Sequence, residues 1–168
     1  MRFTIEQRFA VPVDAAARAY ADPELYTRFV GMRKLSTPEV LAHSVDGDVV
    51  QLDVRYRFAD ELSPAARAVI DPAKLSWVER SIHDLAARRT DFTMLPDHYR
   101  DRFRCQGSYR FEALGDESCA RHGAADLRVK ALLVAHAVEG AIVSGLEEHL
   151  DDEVPLVEAY VRGPAHDG

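Results

Sequence analysis

Polar and apolar residues alternate over much of the first 130 positions of this chain, and then the period changes. Phe3, Ile5, Phe9 and Val11 share one side with Gln7, while Arg2, Thr4, Glu6 and Arg8 share the other, which predicts a half-buried strand. Pro12 ends it. Asp14 is placed to cap a short helix reaching about Tyr20. Asp22 followed by Pro23 predicts a second short helix to about Val30, with Asp22 as N-cap. A strand over Glu39–Val45, a tight turn at Asp46-Gly47-Asp48 and a strand carrying Val50, Leu52, Val54, Tyr56 and Phe58 inward predict a hairpin. Ser63-Pro64 to Ile70 reads as one or two helical turns.

Two further strands are predicted over Leu75–Asp84 and Ala86–Leu95, with broken alternation. Trp77, Glu79 and His83 face inward on one parity, Val78 and Ile82 on the other. Leu85-Ala86-Ala87 also fits a helical extension. A stronger strand places Tyr99, Phe103, Cys105, Tyr109 and Phe111 inward. Gly107, on the same row, leaves room against the sheet or marks a bulge. After a turn at Gly115, Ala125, Leu127 and Val129 continue the alternation.

From Leu132 to Val161 the spacing becomes helical, with Val138, Ile142, Leu146, Leu150, Val157 and Val161 on one side. Such a helix is about 45 Å long. It is the element large enough to cover the apolar face of a seven-stranded antiparallel meander, so the fold class is α+β. The two short helices roof a cleft between sheet and helix. Small Gly140 and Gly145 predict a close approach over plain core in the helix's first half. His149, an acidic cluster and Pro155 predict a loosened second half beside a ligand entrance. A single domain over 1–162 is expected, with a flexible tail at 163–168.

Composition adds limits. At 168 residues, 47% hydrophobic and 29% charged, the chain has ordinary globular make-up. Its net charge of -7 argues against nucleic acid as a partner. No opening run is apolar enough for a signal peptide and no stretch is suited to be an integral membrane segment, so a soluble cytoplasmic protein is expected. A regular hairpin sets Cys105 opposite a residue near Leu127 and Cys119 opposite one near Ala113, too far apart for a disulfide.

Four stretches carry a family resemblance: MRFTIEQRFAVPVDAAARAYADPELY, VRYRFADELSPAARAVIDPAKLSWVE, PDHYRDRFRCQGSYRFE, and ADLRVKALLV leading into AIVSGLEEHL. With the element order, they make the chain resemble the START-like superfamily, also called SRPBCC or the helix-grip fold, and within it a bacterial family of unknown function. The resemblance implies a seven-stranded antiparallel sheet wrapped round the C-terminal helix, with a deep apolar cavity for lipids, sterols or polyketides. Some members are polyketide cyclases and aromatases; others are transfer proteins, hormone sensors or chaperone activators.

The candidate ligand wall is Tyr56, Phe58, Trp77, Phe92, Met94, Phe103 and Tyr109 from the sheet, with Ile142, Leu146 and His149 from the helix. Each also fits as ordinary core. His149 reads as an acid, base or hydrogen-bonding group, or as a histidine at the edge of the apolar stripe. His149 and Glu153 have a metal-ligand spacing, but no third ligand, HExxH, CxxC, phosphate loop or GxSxG accompanies them, so no metal or cofactor is expected. No Lys or Arg occurs from Ala131 to Val161, where Glu139, Glu147, Glu148, Asp151, Asp152, Glu153 and Glu158 stand. Arg2, Arg8, Arg55, Arg57, Arg102, Arg104, Arg110, Arg128 and Lys130 are assigned to the outward sheet face. These read as solvated faces of opposite sign, or as docking surfaces.

Three functions follow. The leading one is a non-catalytic binding or carrier protein for a hydrophobic small molecule, lipid, polyketide or sterol-like. The second is a cyclase or dehydratase using His149 or a cavity tyrosine. The third is an interaction module using the basic sheet face. A monomer or homodimer is expected.

Overall fold

The computed structural model describes residues 1–61, 67, 71–130 and 135–163. The helical turns expected over 63–70 fall, apart from Arg67, outside the described residues, as does the tail at 164–168.

The elements are β1 (Arg2–Phe9), α1 (Val13–Tyr20), α2 (Pro23–Tyr26), β2 (Glu39–Asp46), β3 (Val49–Arg57), β4 (Ser76–Asp84), β5 (Arg89–Pro96), β6 (Phe103–Gly115), β7 (Ser118–Val129) and α3 (Ala135–Arg162). One antiparallel sheet has the order β1-β7-β6-β5-β4-β3-β2. It is a meander to which β1 is added beside β7, and α3 covers it in the expected helix-grip arrangement.

Several local expectations are corrected. Pro12, not Asp14, occupies the N-cap of α1, and no side chain caps that end. Asp14 sits in the first turn and pairs with Arg88 at 2.7 Å instead. Asp22 does cap α2, accepting from the Glu24 N–H at 3.0 Å. That helix stops at Tyr26 rather than Val30. Its last bonds tighten to the i→i−3 pattern, as in Arg28 N–H to Leu25 C=O at 2.9 Å, and Gly31 at φ +71° turns the chain.

The open parity on β4 resolves to the odd residues. Ser81 and His83 are buried, and Ile82 is 44% exposed. A histidine is stable there because Ser81 and Thr90 hydroxyls bond both ring nitrogens, at 2.9 and 3.0 Å. β5 begins at Arg89, not Ala86, because residues 85–88 form the hairpin turn and Arg88 takes φ 53°. Tyr99 is not on β6. It lies at φ 58° in the preceding bend, where its hydroxyl accepts the Asp71 N–H at 3.2 Å. β7 starts seven residues before Ala125, at Ser118, which brings Arg121 onto the inward row.

Gly107 pairs with Ala125 without a bulge; the register shift lies between Ala113 and Gly115. Cys105 faces Leu127 and Cys119 faces Ala113, within the neighbourhoods that a regular hairpin predicts. Both cysteines are free and buried, and burial raises their thiols to about 12 and about 11.

The two halves of α3 are the reverse of expectation. Its second half joins the main core: Val157 is fully buried with Phe9, Tyr20, Leu25, Phe29, Leu52 and Val54, and Val154, Leu156, Tyr160 and Val161 pack around them. Burying side chains of this size contributes about 1.5–3 kcal/mol each. Pro155 lies inside the helix, which runs unbroken to Arg162. The first half covers the smaller cluster of Phe92, Met94, Cys105, Tyr109 and Leu127 through Ile142 and Val143. A Cβ on Gly140 or Gly145 would meet nothing within 4 Å, so these glycines mark no close approach to the sheet.

Candidate functional site

Between the inner face of the sheet and the first half of α3 lies a cavity of about 960 Å³. Alternation on β3, β4, β5 and β6 brings Tyr56, Trp77, Met94, Phe103 and Tyr109 to its wall, and the strand end adds Phe58. Helical spacing adds Ile142, Leu146 and His149. Phe92 is the exception among the candidates. It is buried outside the wall, stacked on the Tyr109 ring at 4.9 Å. Tyr20 and Tyr26 close one end. The opposite rim carries exposed Glu61, Lys74, His98, Asp101, Arg102 and Lys130.

Arg102 and Lys130 therefore belong to the rim and not to the outer sheet face. Nor is that face of one sign. Arg80 binds Asp53 at 2.7 Å, Arg57 binds Glu39 at 3.3 Å and Arg128 binds Asp126 at 3.2 Å. The helix's acids are also divided. Asp152 holds Arg33 at 2.7 Å, Glu148 faces Lys34 at 3.5 Å, and Glu153 turns inward.

The inward Glu153 anchors a buried polar network at the closed end. Its Oε1 lies 3.0 Å from His149 Nε2, and its Oε2 accepts from the Tyr20 hydroxyl at 2.8 Å and from Arg121 Nη1 at 3.4 Å. Arg121 Nη1 also donates to Gln7 Oε1 at 3.0 Å, and Gln7 Nε2 donates to the Leu150 carbonyl at 2.6 Å. The guanidinium lies between two rings, with Cζ 3.8 Å from the Tyr20 centroid and 3.6 Å from that of Tyr109. Three strands and two helices are thus tied together where the core would otherwise be apolar. Burial raises the Glu153 carboxyl, but hydrogen bonding and charge from His149, the Arg121 charge and the Tyr20 hydroxyl outweigh it and hold it low. Burial opposes the Arg121 charge, and the surrounding tyrosines and carboxylates keep it protonated.

Glu79 differs. It is half-buried on the cavity wall, two residues after Trp77, with no hydrogen bond or ion pair among the described residues. Burial raises its carboxyl to about 7 against the pull of Arg121. It therefore changes protonation near neutrality, as a general acid or base does. His83 does not pair with it. Burial pushes that imidazole down to about 3, and its nitrogens are already bonded, so it is a satisfied core histidine. The His149–Glu153 spacing forms an internal pair instead of half a metal site, and among the described residues no group of three His, Cys, Asp or Glu is placed to hold a metal ion.

Sequence reasoning missed Arg121 and the role of Gln7. Both were within reach of period two. Gln7 stands on the apolar row of β1, and stepping back from Leu127 through Ala125 and Gly123 lands on Arg121.

A family model described as "Protein of unknown function (DUF2505)" matches residues 4–161. No curated protein matches the chain in sequence. Among solved structures, the chain is similar to the Zhui aromatase/cyclase from a Streptomyces species, at 15% identity and TM-score 0.68, covering 100% of this chain and 98% of that one. It is similar to TTHA0849 from Thermus thermophilus, at 16% identity and TM-score 0.67, covering 96% and 97%. It is similar also to norcoclaurine synthase from Thalictrum flavum in complex with dopamine and hydroxybenzaldehyde, at 20% identity and TM-score 0.62, covering 94% and 86%. At these identities the likeness is one of fold.

Proposed function

This chain belongs to the DUF2505 family of proteins of unknown function, and we propose that it is a non-catalytic binding or carrier protein for a hydrophobic small molecule. The molecule, of lipid, polyketide or sterol-like character, sits between the sheet and the first half of α3. The cavity of about 960 Å³ carries this reading. It is at the upper end of the ~300–1,000 Å³ typical of ligand pockets, and it has the aromatic and aliphatic wall with a few polar groups that such pockets share. The charged groups at its closed end are bonded to one another, so they brace the fold rather than wait for a reactant. The solved norcoclaurine synthase complex, which holds two small aromatic molecules, supports a ligand in a fold of this shape.

Native mass spectrometry of protein purified from its host is expected to show a bound apolar molecule, and the emptied protein to take up Nile red. Protein that is purified empty and takes up no dye overturns the proposal.

A second reading, an enzyme of the cyclase or dehydratase kind, draws on the unpartnered Glu79 carboxyl with its value of about 7. The names of the aromatase/cyclase and the synthase supply candidate substrate classes. Loss of turnover in Glu79→Gln, with dye uptake retained, is the result that favours it. The docking reading is weakened by the carboxylates paired with Arg8, Arg55, Arg57 and Arg128; charge reversal at Arg104, which has no ion pair among the described residues, tests what remains of it, and partner capture unchanged by that reversal removes it.

A further inference from the structure

The rim of the cavity carries a charge imbalance that the fold does not resolve. Its acid Glu61 is paired with Arg67 at 3.1 Å, and its base Lys74 with Asp71 at 3.8 Å. Arg102 and Lys130 have no ion pair among the described residues, and neither has Arg100 in the bend beside them, whose Nε donates to the Pro96 carbonyl at 3.2 Å. The stretches 62–66, 68–70 and 131–134 hold no acidic residue to neutralise them. Asp101 is the one rim carboxylate without a cation among the described residues. Three exposed cations thus stand against one acid, in a chain whose net charge is -7. The two rim cations are also set against each other. Phe103 pairs with Val129, and one step further out the Lys130 N–H donates to the Arg102 carbonyl at 2.7 Å. Their side chains leave facing positions of neighbouring strands, where like charges repel. Nothing among the described residues offsets that repulsion, whereas an anionic surface brought against the rim does.

We propose that Arg100, Arg102 and Lys130 dock the rim on an anionic lipid bilayer, with the cavity turned toward the membrane. The inference goes beyond the binding reading and takes from it only the apolar cavity behind the rim. On the adjacent strand β5, Leu95 is 40% exposed, and its neighbour Pro96 lines the cavity. Cations beside an exposed apolar side chain suit the bilayer interface, which offers negative headgroups outside and hydrocarbon within. Each cation near such a surface strengthens binding about fivefold. The contact sets the cavity over hydrocarbon, so an apolar molecule passes between the two without crossing water. An acidic protein offers the charge but not that apolar interior.

Vesicle co-sedimentation of the full chain tests this with phosphatidylcholine alone and with equal parts of phosphatidylcholine and phosphatidylglycerol. At low salt the mixed vesicles are expected to bind about tenfold or more tighter than phosphatidylcholine. That binding is expected to be lost at about 1 M salt, where charges are screened beyond about 3 Å. Arg102→Glu combined with Lys130→Glu is expected to weaken it about tenfold or more. Arg18→Glu combined with Arg110→Glu is the control, with folding of both variants checked by circular dichroism. It changes the net charge equally, on α1, whose Tyr20 closes the other end of the cavity, and further along β6. It is expected to bind as the parent does. No binding to the mixed vesicles, or equal weakening by both double variants, overturns the inference. Binding to poly-glutamate without vesicle binding also overturns it and makes an acidic protein the occupant. Self-association without vesicle binding does the same for a second copy. Nile red uptake by the parent, read in parallel, separates the two readings. Dye uptake without vesicle binding overturns the docking alone, and vesicle binding without dye uptake overturns the binding reading alone.

Discussion

Arg121 of β7 and Glu153 of α3 meet at 3.4 Å with their side chains 7% and 5% exposed. The pair joins sheet to helix inside the core, so its two charges depend on each other. Arg121→Met leaves Glu153 with only His149 and Tyr20 as partners and Gln7 Oε1 without its donor, and is expected to cost about 3–5 kcal/mol in urea unfolding. Arg121→Met combined with Glu153→Gln removes both charges while keeping a polar partner for the Tyr20 hydroxyl and His149, and is expected to recover more than half of that loss. Equal losses in the single and double variants would show that ring packing around Arg121, not charge, carries its contribution.

Glu79 gives stability a defined pH slope. Its value in the folded chain is about 7 against an ordinary 4.5, so folding favours the protonated form. That contribution is fully present below pH 4.5 and is lost as pH rises through about 7. Glu79→Gln is therefore expected to gain on the parent between pH 5 and pH 8, by on the order of 2 kcal/mol after allowing for partial exposure to the cavity. Melting temperatures of both proteins at the two pH values test this, and a constant difference would mean that Glu79 titrates normally. Glu153 acts in the opposite sense. Held low by its partners, it stabilises above the ordinary carboxylate range and loses that contribution as pH falls.

Gly107 is fixed by space, not by its backbone angle. A Cβ there would sit 2.7 Å from the Ala125 Cβ and closer still to the Ala124 carbonyl oxygen. The obstacle is largely the neighbouring backbone of β7, which a rotamer change does not move. Gly107→Ala is expected to cost about 1–3 kcal/mol by overpacking, measured by urea denaturation.

Cavity wall and packed core are expected to respond differently to substitution. Ile142 is half-buried on the wall, so Ile142→Trp has space to enter and is expected to block dye uptake with little loss of stability. Leu25 is fully buried in the main cluster. Leu25→Ala is expected to cost about 2–5 kcal/mol and to leave uptake intact in the folded protein. Uptake unaffected by Ile142→Trp would place the dye elsewhere.

No helix of the described residues is long and apolar enough to cross a membrane. Most of the architecture was legible from local pattern. Period two fixes which side chains share a face, and with the short turns it pointed to the β2–β7 meander, the neighbourhood of Cys105 and Leu127 and the aromatic sheet side of the cavity wall, but not to the place of β1 beside β7. It faltered on β4 because Ser81 and His83 are polar yet buried while Ile82 is apolar yet exposed, an inversion that depends on Ser81 and Thr90 hydroxyls reaching the His83 ring. It faltered again on α3, where the apolar spacing is similar in both halves.

The sequence by itself determined the elements, their amphipathic faces and the α+β class, because each follows from residues a few positions apart. Only the tertiary structure decided which half of α3 lies over packed core and which over the cavity. It alone brought Gln7, Tyr20, Arg121, His149 and Glu153 into one network and left Glu79 outside it. Whether a buried polar group is paired or alone depends on residues far apart in the chain, 143 positions for Gln7 and Leu150, and no local period encodes it.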